Sequence, residues 1–162
     1  MGGELWVPLF LGALAQGYGH GDQAQEGLKV IAEALALVEK NEERWNEAEL
    51  YRIKGELTLQ QANQKSKGKG QKSKMETDPR SLPPNPHSEA QACFPKGLDS
   101  ARRPEAKSLE LRATVSLARL WQSQGKIQEA RELLALIYNW FTEGFDTKDL
   151  QEAKALIEEL SH

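Results

Sequence analysis

A chain of 162 residues is long enough for one domain with a substantial core. Its 28% charged and 7% aromatic residues, rich in Ala, Leu, Glu, Gln, Lys and Arg, favour helix, and no β-branched alternation marks a sheet, so the fold class is all-α. The net charge of −3 is too mild to make nucleic acid the main partner, and the single cysteine, Cys93, excludes an internal disulfide framework or a Cys-rich zinc site.

The chain opens on an apolar run, LWVPLFLGALA, that ends in Ala13-Leu14-Ala15 and so mimics a signal-peptide cleavage site. Met-Gly-Gly-Glu ahead of it has no Lys or Arg, and the run is too short to span a bilayer. A buried first helix and a cytoplasmic location are the expectation, with a signal peptide as the alternative. Leu11, Gly12, Ala15, Gly19, Ala24 and Leu28 follow at intervals of one, three, four, five and four. Gly-Tyr-Gly-His-Gly at 17–21 reads as a turn, because a phosphate loop would need a Gly-Lys-Ser/Thr end and a preceding strand. Asp22 is placed to cap a second helix with Ala24, Leu28, Ile31, Leu35 and Val38 on one face.

A third helix is expected from Trp45 to about Gln61, with Tyr51 and Gly55 in large and small packing positions. Gln64 to Pro86 then holds six Gly or Pro residues and almost nothing apolar, too little to offset its ordering entropy. It reads as a disordered insertion, and its six basic against two acidic residues give it +4. Its lysines alternate with Gly, Ser and Gln and have no aromatic on which a base could stack. A solvated linker is the plain reading, and weak contact with nucleic acid or an anionic surface is the sharper one. The next helix runs from about Ser88, with Ala90, Phe94 and Leu98 on its buried face and Cys93 as a small buried hydrophobe. Pro95 inside it removes a backbone bond, at roughly 3 kcal/mol, and Gly97 adds about 1 kcal/mol. Arg103-Pro104 marks the following boundary.

The last third is the most regular part. Leu109, Ala113, Leu117, Leu120 and Trp121 form one stripe, Gly125 breaks it, and Ile127, Ala130, Leu133, Leu134, Ile137, Trp140 and Phe141 resume it. Helices joined so tightly fold back as an antiparallel pair. Leu117, Ala118, Trp121, Gly125, Ala130 and Leu134 repeat the opening intervals about 106 residues later. Gly144 is a hinge, Asp146 or Thr147 can cap a final helix, and Leu150, Ala153, Leu156, Ile157 and Leu160 are its buried face.

This order of large, small, aromatic, turn glycine, small and large residues resembles the tetratricopeptide repeat. The interval from Gly55 to Ala90 is 35 residues against 12 from Ala118 to Ala130, an excess of 23 that equals the length of 64–86. The expected architecture is a tetratricopeptide-like solenoid of antiparallel helix pairs with a C-terminal capping helix. Its parts are 1–63 (first pair and first helix of the middle repeat), the insertion 64–86, 87–103 (second helix of the middle repeat), the last pair 104–141 and the cap 142–162.

The segments ERWNEAELYRIKGELTL, SEAQACFPKGLDSAR, SLELRATVSLARLWQSQGK and EARELLALIYNWFTEGFDTKDLQEAKALIEEL look like the C-terminal tetratricopeptide region of large bacterial regulatory proteins. In that family a class III adenylate or guanylate cyclase domain, a signalling NTPase domain, or both, precede the repeats. The resemblance implies a regulatory or partner-binding region, with catalysis in other domains. Pro95, Gly97 and Arg103-Pro104 depart from the family pattern in the middle repeat.

No catalytic arrangement is expected. His20, His87 and His162 have no ligand spacing between them, and nucleophile elbow, phosphate loop and cyclase aspartate pair are all missing, so neither a cofactor nor a metal is expected. The resemblance to tetratricopeptide arrays implies a binding groove lined by the first helix of each repeat. Its positions are Glu49, Arg52, Glu56 and Leu59 in the middle repeat and Arg112, Val115, Arg119 and Gln122 in the last. The partner expected there is an acidic or mixed-charge peptide, or another domain of a parent protein, with no membrane involved. The competing reading is an ordinary solvated face. A free-standing adaptor is the alternative to a regulatory fragment. Replacing Arg112 and Arg119 by Ala should weaken capture without unfolding the chain.

Overall fold

Alanine, leucine and the long charged residues lose little side-chain freedom in a helix, and the apolar stripes spaced by three and four give each helix a face to bury. A computed structural model describes residues 7–41, 46–68, 86–101 and 107–161. Among the described residues there are seven helices and no strand: α1 (Val7–His20), α2 (Ala24–Asn41), α3 (Glu47–Gly68), α4 (Pro86–Ala101), α5 (Lys107–Ser123), α6 (Ile127–Tyr138) and α7 (Lys148–Glu159). The all-α class holds. No helix among the described residues is long and apolar enough to cross a membrane.

Contacts fix the direction of each helix. Gly55 opposes Phe94 while Ala48 opposes Gly97, so α3 and α4 are antiparallel. Gly12 faces Leu50 and Gly19 faces Leu57, so α1 and α3 run the same way. Glu49 meets Arg112 and Glu56 meets Ser116, which aligns α3 with α5. Arg112 meets Asp149 and Gln122 meets Glu159, which aligns α5 with α7. The odd-numbered helices therefore share one direction, and α2, α4 and α6 pack between them. Three apolar clusters fill the layers: α1, α2 and α3 around Ile31 and Leu50; α4 and α5 around Phe94; and α5, α6 and α7 around Leu134.

The backbone hydrogen bonds of the α1–α2 turn recur in the α5–α6 turn. Gln23 N–H donates to Tyr18 O as Lys126 N–H does to Trp121 O, and Asp22 to Gly19 as Gly125 to Gln122. Gly27 donates to Gln23 as Ala130 does to Lys126. Each match is separated by 103 residues, not the 106 that residue spacing suggests. The equivalent of Ala118 is thus Ala15 rather than Gly12, and the equivalent of Gly125 is Asp22 rather than Gly19. Gly125 and Asp22 both take positive φ, at 78° and 58°. Aspartate is among the few residues with a side chain that enter this region.

This corrects two local expectations. Asp22 does not cap α2; it is the left-handed turn residue, and Gly17 to His20 belong to α1. Gly19 is small because of packing: a Cβ there would lie 2.9 Å from Leu57 Cδ2. Gln60 Nε2 then reaches Gly19 O at 2.7 Å, and Gln64 Nε2 reaches Asp22 O at 2.9 Å, pinning α3 to the turn.

Other differences lie at helix ends. α3 continues to Gly68, into the stretch assigned to the insertion; 69–85 lie outside the described residues, as do Trp45 and Arg103-Pro104. α4 starts at Pro86, ahead of Ser88, and continues through Pro95. Gly97 is no simple liability, because a Cβ there would sit 2.9 Å from Ala48 O, so its absence lets α4 approach α3. Ile127 and Trp140, expected on a buried stripe, are exposed, while Ala130, Leu134 and Ile137 between them are buried. The first helix is buried only along Pro8, Gly12 and Ala15; Val7, Phe10 and Leu14 face outward. Thr147 is the N-cap residue of α7, with its hydroxyl donating back to Gly144 O rather than into the helix. Cys93 is buried.

Candidate functional site

The odd-numbered helices present one continuous face, because their shared direction puts the same turn of each side by side. The middle of that face is a charged layer on α3. Arg52 is flanked by Glu49 three residues earlier and Glu56 four residues later, so both carboxylates lie on its own side of the helix. Its Nε and Nη2 donate to the two oxygens of Glu49 at 2.9 and 2.7 Å, and Nη1 donates to Glu56 Oε1 at 2.6 Å. The guanidinium is buried. Burial alone works against its charge, but the Glu49 hydrogen bonds and the charges of Glu56 and Glu49 outweigh that and hold it protonated more firmly than an ordinary arginine.

The network extends to α5 and α7. Ser116 Oγ donates to Glu56 Oε1 at 2.7 Å. Arg112 Nε donates to Asp149 Oδ2 at 2.7 Å, and its Nη1 lies 3.8 Å from Glu49. Arg119 is 3.8 Å from Glu152, and Gln122 Nε2 donates to Glu159 at 2.8 Å. Three helices are thereby tied through one string of polar groups.

Five of the six site residues expected from sequence, Glu49, Arg52, Glu56, Arg112 and Arg119, line one cavity of about 290 Å³, together with Val115. Gln122 is not among its walls and serves the α5–α7 contact instead. The cavity also takes Gln16 from α1, Ser116 from α5, and Lys148, Asp149 and Glu152 from α7. Gln16 was legible: it stands 40 residues before Glu56, just as Ala15 stands 40 before Gly55. The wrong register for the first turn hid it. The α7 residues had no such signal, because spacing within a helix does not say which helix docks beside it.

Glu49, Glu56, Asp149 and Glu152 balance Arg52, Arg112, Arg119 and Lys148, so the cavity carries no net charge. Arg112 is engaged by Asp149 and Glu49, and Arg119, 59% exposed, is the more available of the two. Replacing Arg112 would also cut a tie between α5 and α7, so the pair Arg112/Arg119 is not a pure probe of binding.

Glu56, Ser116 and Arg119 also border a second cavity of about 480 Å³ towards the C-terminal ends of α3 and α5. Its walls are more apolar: Leu59, Phe94 and Leu120, rimmed by Gln60, Asn63 and Ser123. Leu59, expected in the groove, is found here. The two cavities adjoin along α3 and α5, so one elongated groove has a charge-balanced half and an apolar half. Among the described residues no group of three or more His, Cys, Asp or Glu side chains could hold a metal ion. No family model matches this chain, and neither the curated proteins nor the solved structures give a significant match.

Proposed function

We propose that the chain is a non-catalytic interaction module, a tetratricopeptide-like solenoid whose odd-numbered helices line a groove for an extended peptide. The repeat reading draws support from the alternating helix directions and from a recurrent period. Ala15 to Gly55 is 40 residues and Gly55 to Ala118 is 63, and the difference of 23 equals the excess of the Gly55–Ala90 interval over that from Ala118 to Ala130. The observation that carries the binding reading is the joined groove, where Arg119 and Glu56 stand between a charge-balanced cavity and an apolar one. A ligand matching it alternates charges of both signs and carries one large apolar side chain. The peptide belongs to a partner protein or to another domain of a longer regulatory protein of the cyclase or NTPase type.

The test is a peptide-display selection on the intact chain, followed by solution titration of the enriched peptides. Arg119→Glu is expected to weaken them at least about tenfold, or 1.4 kcal/mol, and reversing the facing acid of the peptide is expected to restore binding. Enriched peptides that bind the variant as tightly as the parent overturn the groove assignment.

A further inference from the structure

α1 carries a second apolar stripe, opposite the one it buries. Phe10 is 69% exposed and Leu14 50%, Val7 and Ala13 are exposed beside them, and Gly17 has open space around it. The whole helix, VPLFLGALAQGYGH, contains no Asp, Glu, Lys or Arg. Scattered exposed apolar residues need no explanation, but an uncharged stripe along one helix face does.

The repeat register explains it. Moving 40 residues along takes Phe10, Ala13 and Gly17 to Leu50, Ile53 and Leu57 of α3, all buried against Ala15, Ile31 and Val38 of the preceding pair. Moving 103 residues takes Phe10, Leu14 and Gly17 to Ala113, Leu117 and Leu120 of α5, all buried against Ala90, Phe94 and Leu98 of α4. Phe10 and Gly17 fall on buried positions of both helices, while Leu14 falls on Leu117 in α5 but on half-buried Lys54 in α3, and Ala13 on Ile53 in α3 but on groove-lining Ser116 in α5. Centred on Phe10 and Gly17, the face that α3 and α5 bury under the pair before them is the face α1 leaves bare. At the other end α7 turns Lys154 and Glu158 outward, with side chains 64% and 66% exposed. A charged surface of that kind gives no apolar match for α1, which disfavours head-to-tail stacking of copies.

We infer that the Phe10/Leu14 face of α1 is a docking face for a further antiparallel helix pair of the same 40-residue kind. That pair stacks in register ahead of α1, as α1–α2 stacks ahead of α3. Its second helix meets α1 with a stripe of small and aliphatic residues like Gly27, Ile31, Ala34 and Val38 of α2. The inference rests on the repeat reading proposed above and extends it to a surface outside the groove.

The test duplicates residues 7–46 directly ahead of Val7 in the full chain, which preserves the period. Phe10→Gln/Leu14→Gln is then placed, in the original α1, in both the extended and the parent protein. The substitution is expected to lower the melting temperature of the extended chain by about 5–10 °C and that of the parent by no more than about 1 °C. Sedimentation of the parent is expected to show a monomer. Equal shifts in the two proteins, with the added pair folded by circular dichroism, overturn the docking face and leave the repeat reading standing. An added pair that stays unfolded overturns both. A parent dimer that the substitution dissolves overturns the inference in favour of a second copy of the chain.

Discussion

Gly17→Ala and Gly55→Ala are the same chemical change at two helical positions, and the structure assigns them opposite signs. Each gains about 0.8–1.0 kcal/mol of helix propensity. At Gly17 nothing lies within 4 Å of the added Cβ, so that gain is the whole effect. At Gly55 the Cβ falls 2.6 and 2.7 Å from Cε1 and Cζ of Phe94, where ordinary contact begins near 3.4 Å. Phe94 is fully buried among Ala90, Leu98, Ala113, Leu117 and Leu120, and the space open to a displaced ring is the apolar cavity it shares with Leu59 and Leu120, so retreat means giving up its packing. Overpacking of this kind costs about 1–3 kcal/mol. Propensity cancels between the two variants, so their difference isolates the packing cost of about 1–3 kcal/mol. In a chain of this size a gap of about 2 kcal/mol is roughly 4–8 °C in melting temperature. Urea unfolding followed by circular dichroism measures it, and Phe94→Leu should recover part of the loss only in the Gly55→Ala background. Equal stability of the two alanine variants would refute the close approach of α3 to α4.

Two further outcomes follow from the buried groups. Arg52→Ala strands Glu49 and Glu56 together. Breaking a buried pair costs about 3–5 kcal/mol, and the partial exposure of Glu56 brings the expectation down to about 2–3 kcal/mol in urea unfolding. A loss under about 1 kcal/mol would mean that water already solvates the network. Burial pushes the Cys93 thiol up, Lys54 and Lys96 draw it down less, and Glu89 adds to the rise. Above pH 9.0, the ordinary value, the unfolded chain sheds a proton that the folded chain keeps. The thiol therefore costs nothing below that pH and destabilises the fold as the pH climbs past it. Labelling of Cys93 at pH 8 should be at least about tenfold slower in the native protein than in urea, and Cys93→Ala should remove its share of the alkaline decline. Equal labelling rates would place the thiol at the surface.

The buried faces were legible where neighbours cover a helix's apolar stripe along its length, whatever the helix's own length. Ala113, Leu117 and Leu120, then Ala130, Leu134 and Ile137, then Leu150, Ala153, Leu156 and Leu160, all sit where a period of 3.6 puts them. The pattern loses force at helix ends, where no neighbour covers the next turn, and there Ile127 and Trp140 emerge into solvent. The same limit applies to α1, whose hydrophobicity is high all round while only one narrow face has a neighbour. Hydrophobicity says that a residue can be buried, not that something is there to bury it. Likewise the groove residues on α3 and α5 followed from the tetratricopeptide resemblance combined with helical spacing, whereas Asp149 and Glu152 required knowing where α7 docks.

The misplaced register of the first turn has a physical cause. A search for small residues at fixed intervals has little power in a stretch with glycine at 12, 17, 19 and 21, because several alignments satisfy it. The backbone distinguishes them by the one residue that must take positive φ, and here that residue is Asp22, a type common enough in caps to be read as one. Chain length carries the independent constraint. With Gly12 as the small residue, the intervals to Gly55 and Ala118 are 43 and 63, and an insertion of 20 is implied. With Ala15 they are 40 and 63, and the implied 23 agrees with the Gly/Pro-rich stretch and with the spacing of Ala90 from Gly55. Gly27, the partner of Ala15 in this register, then explains itself, since a Cβ there would lie 2.9 Å from Ala15 O. The close approach of α1 and α2 depends on that missing methyl group, as the approach of α3 and α4 depends on Gly55 and Gly97. Small residues in this chain are read correctly only when the partner each one admits is named.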